Sequence, residues 1–226
     1  MFDPVQRENK IFSILQELVK ANLRFVIVGG YAVSAYKHRF SVDADIVLKK
    51  EDQEQFEELL RKNGLMKTIV KELEHLYAPE FVRYETREEP AVSIDLLING
   101  IGSRTTNTSF SLEQLEAHAR KRIIFGTEKE VTALVPDREV LIALKIHSGR
   151  LTDLRDIAAL CKNINLDTVQ EFLTVGDQQI IRQNIKKLLT LLEQKGFRDS
   201  FKGVFREKKY DLQLPEIQKL QKFIEI

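Results

Sequence analysis

Along residues 5–21 the apolar positions Val5, Ile11, Ile14, Leu15 and Leu18 recur at helical spacing, which predicts an amphipathic helix. The pattern then switches. Phe25-Val26-Ile27-Val28 is a short unbroken apolar run that stops at Gly29-Gly30, as a buried strand running into a tight turn does. Residues 31–36 suit a short helix, 45–48 a second strand, and 51–62 a charged amphipathic helix with Phe56, Leu59 and Leu60 on its buried face. Strands are predicted at 66–71, 80–86 and 92–98, the last a β-branched run that Gly100 and Gly102 are expected to end. Ser111 can cap a helix through Ala119, and two short strands follow at 122–125 and 131–135, closed by Pro136.

After Pro136 the strand signals vanish. Residues 137–148, 153–162, 166–174, 177–195 and 213–224 all suit helices. Strands mixed with helices, then helices alone, predict an α+β domain over 1–136 and a helical C-terminal domain over 137–226.

Composition narrows the function classes. The chain has 226 residues, enough for one large domain or two small ones, with 43% hydrophobic and 31% charged residues. Lys and Arg total 35 against 34 for Asp and Glu, so overall charge does not announce a nucleic-acid binder. Cys161 is the single cysteine, which excludes an internal disulfide. No apolar run approaches the ~18–20 residues that span a bilayer. The polar start, Met1 to Lys10, does not resemble a secretory signal, so a cytoplasmic protein with no membrane partner is expected.

The chemistry concentrates between Val28 and Ile46. Two glycines after a buried strand let backbone approach a ligand closely, and a helix beginning there offers free N–H groups to phosphate. Residues Tyr31 to Val42 separate Gly30 from Asp43-Ala44-Asp45. In a strand, residues two apart share a face, so Asp43 and Asp45 project together. Paired carboxylates repel unless a cation sits between them, and hard oxygen ligands suit Mg²⁺ or Mn²⁺. Asp95 lies inside the apolar run Val92-Ser93-Ile94-Asp95-Leu96-Leu97-Ile98. A buried carboxylate needs a partner, and a metal shared with Asp43 and Asp45 would supply one if the two strands are neighbours. Three carboxylates could then hold two ions about 3.5–4 Å apart. A glycine pair alone is commonly a turn, and a lone Asp-x-Asp a capping or solvated pair; the combination carries the reading.

At these residues the chain resembles the nucleotidyltransferase superfamily that includes DNA polymerase β. Its signature is an apolar strand, Gly-Gly or Gly-Ser, a short helix, Asp-x-Asp or Asp-x-Glu, and a third carboxylate on a later strand. Within that superfamily it is most similar to AbiEii-type toxins and to lincosamide and aminoglycoside nucleotidyltransferases. The resemblance implies a mixed sheet flanked by helices, with Asp43, Asp45 and Asp95 as catalytic and metal-binding residues. It gives Gly29 and Gly30 to the phosphates of a nucleoside triphosphate. Arg39 and Ser41, in Arg39-Phe40-Ser41-Val42-Asp43, match a basic residue and a hydroxyl that often precede Asp-x-Asp, and are expected at the triphosphate. Lys145, followed by Thr152-Asp153-Leu154-Arg155-Asp156, matches a helical lysine and a later Asp-x-x-Asp, and is expected to contact phosphate.

The implied activity moves a nucleoside monophosphate from an NTP to a hydroxyl on an RNA end, a protein or a small molecule, with Mg²⁺ or Mn²⁺ as cofactor. An antitoxin partner is implied as well. The alternative is a catalytically inactive module that holds nucleotide or a partner on the same fold. Arg182, Lys186, Lys187, Lys195, Arg198, Lys202, Arg206, Lys208 and Lys209 form a basic run, ordinarily a solvated helix face and here the local hint of an RNA acceptor.

Overall fold

The computed structural model describes residues 4–71, 80–87, 91–205 and 212–224. Arg206, Lys208 and Lys209 of the basic run lie outside them. The described chain forms two compact units, residues 1–102 with 109–136, and residues 103–108 with 137–226. A single cut at Pro136 therefore misplaces one short loop.

The first unit begins with α1 (Pro4–Lys20), which buries Ile11, Phe12, Ile14, Leu15 and Leu18 on one side. Then come β1 (Val26–Val28), α2 (Gly29–Ser34), β2 (Asp43–Leu48) and α3 (Gln53–Lys62). β3 (Leu65–Lys71), β4 (Phe81–Thr86) and β5 (Ser93–Ile98) follow. β6 (Gly100–Ser103) and β7 (Thr108–Ser111) make a separate two-stranded sheet. α4 (Leu112–Ala117), β8 (Ala119–Phe125) and β9 (Glu130–Pro136) complete the unit. The main sheet has seven strands in the order β3-β4-β5-β2-β1-β9-β8. β2 and β5 run parallel, as do β1 and β9, whereas the other neighbours are antiparallel. The sheet is thus mixed and flanked by helices, as the sequence predicts.

Alternation sorts its faces. Ala44, Ile46 and Leu48 on β2, Val82, Tyr84 and Thr86 on β4, and Ile94, Leu96 and Ile98 on β5 are all buried on one face. α3 covers that face near Tyr84: Lys67, opposite Tyr84 in register, reaches Glu57 of α3 at 2.9 Å. The other face carries Asp43, Asp45, Arg83, Glu85 and Asp95, so one phase of the alternation builds core and the other holds the polar groups.

One element here departs from expectation and another follows it. Gly100 does not end the chain's extended course but opens β6, where a Cβ would lie 2.3 Å from the Phe110 carbonyl oxygen. The glycine is there because the paired backbone comes too close for a side chain. Ser111 caps α4 as predicted, with a reciprocal bond from the Ser111 N–H to Gln114.

The second unit is helical: α5 (Arg138–Ser148), α6 (Leu151–Leu160), α7 (Leu166–Leu173), α8 (Gln178–Glu193), α9 (Lys195–Val204), α10 (Leu214–Gln218) and a tight turn at Lys219–Phe223. α9 is not expected from the sequence, where its charges read as a continuation of the basic run. Gln194 breaks α8 in an extended conformation, and Phe197, Phe201 and Phe205 stack along the following segment. The 103–108 loop belongs here because Thr106 hydrogen-bonds the buried His147, Oγ1 to Nδ1 at 2.8 Å, and its carbonyl accepts from the Asp177 N–H at 2.7 Å. Among the described residues no helix is long and apolar enough to cross a membrane.

Candidate active site

The sheet register assembles the site. Val28 pairs with Asp45 across β1 and β2, Asp45 with Asp95 across β2 and β5, and Asp95 with Arg83 across β5 and β4. One row across four strands therefore reads Val28, Asp45, Asp95, Arg83, with neighbours about 4.8 Å apart. Asp43 lies two residues before Asp45, on the same face.

Gly29 follows Val28 directly and starts α2. Its φ is +65°, and a Cβ there would sit 1.8 Å from Asp45 Oδ2. On Gly30 a Cβ would lie 2.4 Å from Ser41 Oγ and 3.2 Å from Arg39 Nη2. The glycine pair is thus pressed against Asp45, Ser41 and Arg39, so these five sequence-predicted residues gather in one place. Because α2 begins at Gly29, the N–H groups of Gly29 and Gly30 have no partner within the helix.

The loop from α2 to β2 is fixed by its own bonds. Tyr31 donates its hydroxyl to the Ser41 carbonyl at 3.1 Å, and Ser34 donates to the Arg39 carbonyl at 2.8 Å. Tyr31 is fully buried, packed edge-on against Phe12, so it is part of the core. Burial foremost, with Glu8 and Asp43 adding to it, pushes its phenol well above the ordinary range.

Arg83 is the site residue that sequence reasoning missed. Its guanidinium donates Nε to Asp95 Oδ1 at 2.7 Å and Nη2 to Asp95 Oδ2 at 2.7 Å. Nη2 also donates to Asp43 Oδ2 at 3.2 Å. Glu85 Oε1 lies 3.9 Å from Nη1. Asp95 is only 3% exposed. Burial raises its pKa above the usual carboxylate value, and the Arg83 fork pulls it back only in part. The same fork raises Arg83 above its ordinary value. The partner that a buried Asp95 requires is therefore a guanidinium. A cation at Asp95, the metal ligand expected from the sequence, would share both of its oxygens with Arg83, which also reaches Asp43.

Asp43 and Asp45 have the hard oxygen donors that suit a divalent cation. Among the described residues no group of three or more His, Cys, Asp or Glu side chains is placed to hold a metal ion by itself. The donor set fits an ion held by two carboxylates and completed by phosphate oxygens, a common arrangement for Mg²⁺.

Lys145 lies in the second unit, on α5, and is 7% exposed. Its ammonium pairs with Asp153 at 2.7 Å and Asp156 at 2.8 Å, both on α6. Arg150 Nε adds a bond to Asp153 Oδ2 at 2.6 Å, and Ser148 Oγ another at 2.7 Å. Burial would raise the Asp153 pKa, but Lys145 and Arg150 outweigh it and hold the group below its ordinary value. A phosphate contact from Lys145 would have to draw its ammonium away from two buried carboxylates. Lys186, Lys187, Lys195 and Arg198 of the basic run are exposed.

A family model described as nucleotidyl transferase AbiEii toxin, type IV TA system, matches residues 13–222. The chain is similar in structure to JHP933 from Helicobacter pylori, at 16% identity and a TM-score of 0.50, covering 100% of this chain and 95% of that one. The antibiotic-resistance factor ANT(2'')-Ia is similar at 16% identity and a TM-score of 0.50, covering 73% of this chain and 87% of that one. Its crystal structure in complex with adenylyl-2''-tobramycin gives the same identity, 16%, and TM-score, 0.50, over 72% and 91% of the two chains. At that identity the likeness concerns the fold. No curated protein matches the chain in sequence.

Proposed function

The chain belongs to the AbiEii nucleotidyl transferase family and is a nucleotidyltransferase; from that premise we propose that it moves a nucleoside monophosphate from an NTP to a hydroxyl acceptor in a reaction that depends on Mg²⁺ or Mn²⁺. The observation that supports the metal dependence is the pair Asp43 and Asp45 on one face of β2, with Asp45 Oδ2 filling the space a Gly29 side chain would need. In this reading residues 1–136, apart from the 103–108 loop, form the catalytic domain, and 137–226 with that loop its helical companion.

Asp43 and Asp45 hold the cation, which when bound neutralises phosphate charge and eases departure of pyrophosphate. The N–H groups of Gly29 and Gly30 donate to the phosphate oxygens, and Ser41 and Arg39 complete the cradle. The acceptor oxygen attacks the α-phosphorus. A new P–O bond forms, the bond to the bridging β-phosphate oxygen breaks, and the acceptor's hydroxyl proton is released. Asp95, with both oxygens accepting from Arg83, is poorly placed to take that proton.

The acceptor is an RNA end, a protein hydroxyl or a small molecule. ANT(2'')-Ia with adenylyl-2''-tobramycin motivates the small-molecule class, and the exposed basic residues of α8 and α9 motivate RNA. The family's description as the toxin of a type IV TA system extends the proposal to a cognate antitoxin. The test is incubation with each α-labelled NTP, Mg²⁺ and a lysate separated into RNA, protein and metabolite fractions. Label is expected in one fraction, and chelator or Asp45→Asn removes it. Nucleotide binding without label transfer in any fraction would instead mean a holding module that does not catalyse.

A further inference from the structure

Arg83 bears on how many metal ions the site takes, a question that rests on the metal reading above. The Arg83–Asp95 pair is directly opposed in the β4/β5 register, and its two parallel bonds are both 2.7 Å long. A planar two-point bond of this kind, to a carboxylate 3% exposed, is among the stronger polar contacts a protein makes. An ion seeking an Asp95 oxygen would have to share it with the guanidinium or displace it.

Charge points the same way. Among the carboxylates Asp43, Asp45 and Asp95, the Arg83 guanidinium supplies a positive charge of the kind a second ion would otherwise bring. Glu85, 3.9 Å from Nη1, adds a further carboxylate at the exposed rim.

We infer that Arg83 is a built-in second cation: Asp43 and Asp45 bind one divalent ion, and the guanidinium stands where a second ion would otherwise complete the site. Asp95 is then a positioning residue, which aims Arg83. A guanidinium has five N–H donors. Nε and Nη2 are directed at Asp95 and Asp43, while Nη1, 3.9 Å from Glu85 Oε1, is the edge assigned to the triphosphate. The ligand of that edge is a phosphate oxygen of the NTP.

The experiment is Mn²⁺ titration of the full chain, read by electron paramagnetic resonance, alone and with a non-hydrolysable NTP analogue. Wild type binds one Mn²⁺. Asp45→Asn, which removes a ligand, weakens binding by about a hundredfold or more, whereas Asp95→Asn, which disturbs only the support through Arg83, costs about tenfold. Arg83→Met frees both Asp95 oxygens and raises the count to two, while Arg83→Lys, which keeps the charge, leaves it at one. Circular dichroism confirms that each variant is folded, and Arg83→Lys and Arg83→Met decide the matter should Asp95→Asn not fold. Two ions in wild type, a loss of Mn²⁺ in Asp95→Asn equal to that in Asp45→Asn, or one ion in Arg83→Met would overturn the inference. A wild type that binds no Mn²⁺ would instead remove the metal reading itself.

Discussion

Replacing Gly29 with alanine is expected to damage the first unit and the site together, by two separable amounts. The backbone φ of +65° costs a residue with a side chain about 1–2 kcal/mol. The new methyl would also lie 1.8 Å from Asp45 Oδ2 and 2.8 Å from its Cγ, so Asp45 must leave its position. Turning that side chain off its rotamer costs roughly 0.5–1.5 kcal/mol more. Together these lower the melting temperature by roughly 3–14 °C, and metal-dependent nucleotide binding falls because Asp45 no longer meets Asp43. The double variant Gly29→Ala with Asp45→Ala removes the collision and keeps the backbone cost, so its stability falls between wild type and Gly29→Ala. Gly30→Ala has no positive φ and meets Ser41 Oγ at 2.4 Å, so it disturbs the phosphate cradle more than the fold. Thermal melting and calorimetry with Mn²⁺ and an NTP analogue measure both effects. A Gly29→Ala protein with wild-type melting and wild-type nucleotide affinity would refute the reasoning.

Asp45→Asn is expected to abolish nucleotidyl transfer with melting unchanged or raised, since it relieves repulsion between clustered carboxylates; a large loss of stability would assign Asp45 a structural role instead. Lys145→Met leaves Asp153 and Asp156 buried without their cation and is expected to cost about 3–5 kcal/mol in chemical denaturation. Unchanged stability with impaired NTP use would restore Lys145 to the phosphates. His147 is fully buried, and burial holds its pKa below the ordinary imidazole value of 6.5 against a partly opposing bond to the Phe172 carbonyl. The unfolded chain therefore binds this proton more readily than the folded one, so His147's neutral form lends full stability above about pH 6.5 and loses it as pH falls. Melting followed from pH 7.5 to 5 is expected to decline, and His147→Gln to decline less.

The aspartates were legible because strand alternation and the glycine pair are local signals. Asp43 and Asp45 share a face by their spacing alone, and a carboxylate inside Val92–Ile98 announces a need for a partner. The identity of that partner was not legible. Arg83 sits between Val82 and Tyr84 on an alternating strand, where an arginine normally faces solvent, and only the β4/β5 register sets it against Asp95. The one clue was the unmet charge of Asp95 itself. Lys145 was found, but its surroundings were not: Asp153 and Asp156 entered as the later Asp-x-x-Asp of the resemblance, and their meeting with Lys145 depends on how α6 folds back on α5. β6 and β7 were hidden because glycines that mark a strand's end in one setting mark close backbone approach in another.

The 103–108 loop has a consequence for chain dissection. The helical unit takes in six residues that the chain supplies before it has finished the sheet, so neither unit is a continuous stretch. A fragment starting at Asp137 would lack the hydroxyl that meets His147 Nδ1, the Ser103 Oγ that donates to the His147 carbonyl at 2.9 Å, and the Thr106 carbonyl that receives the N–H of the α8 cap, Asp177. Such a fragment is expected to melt at lower temperature and over a broader range than the same unit within the full chain. On a ribosome the last two strands of the sheet and the helices emerge after this loop, which waits unpartnered until they do. A designed exchange of helical units among relatives therefore has to carry this loop along.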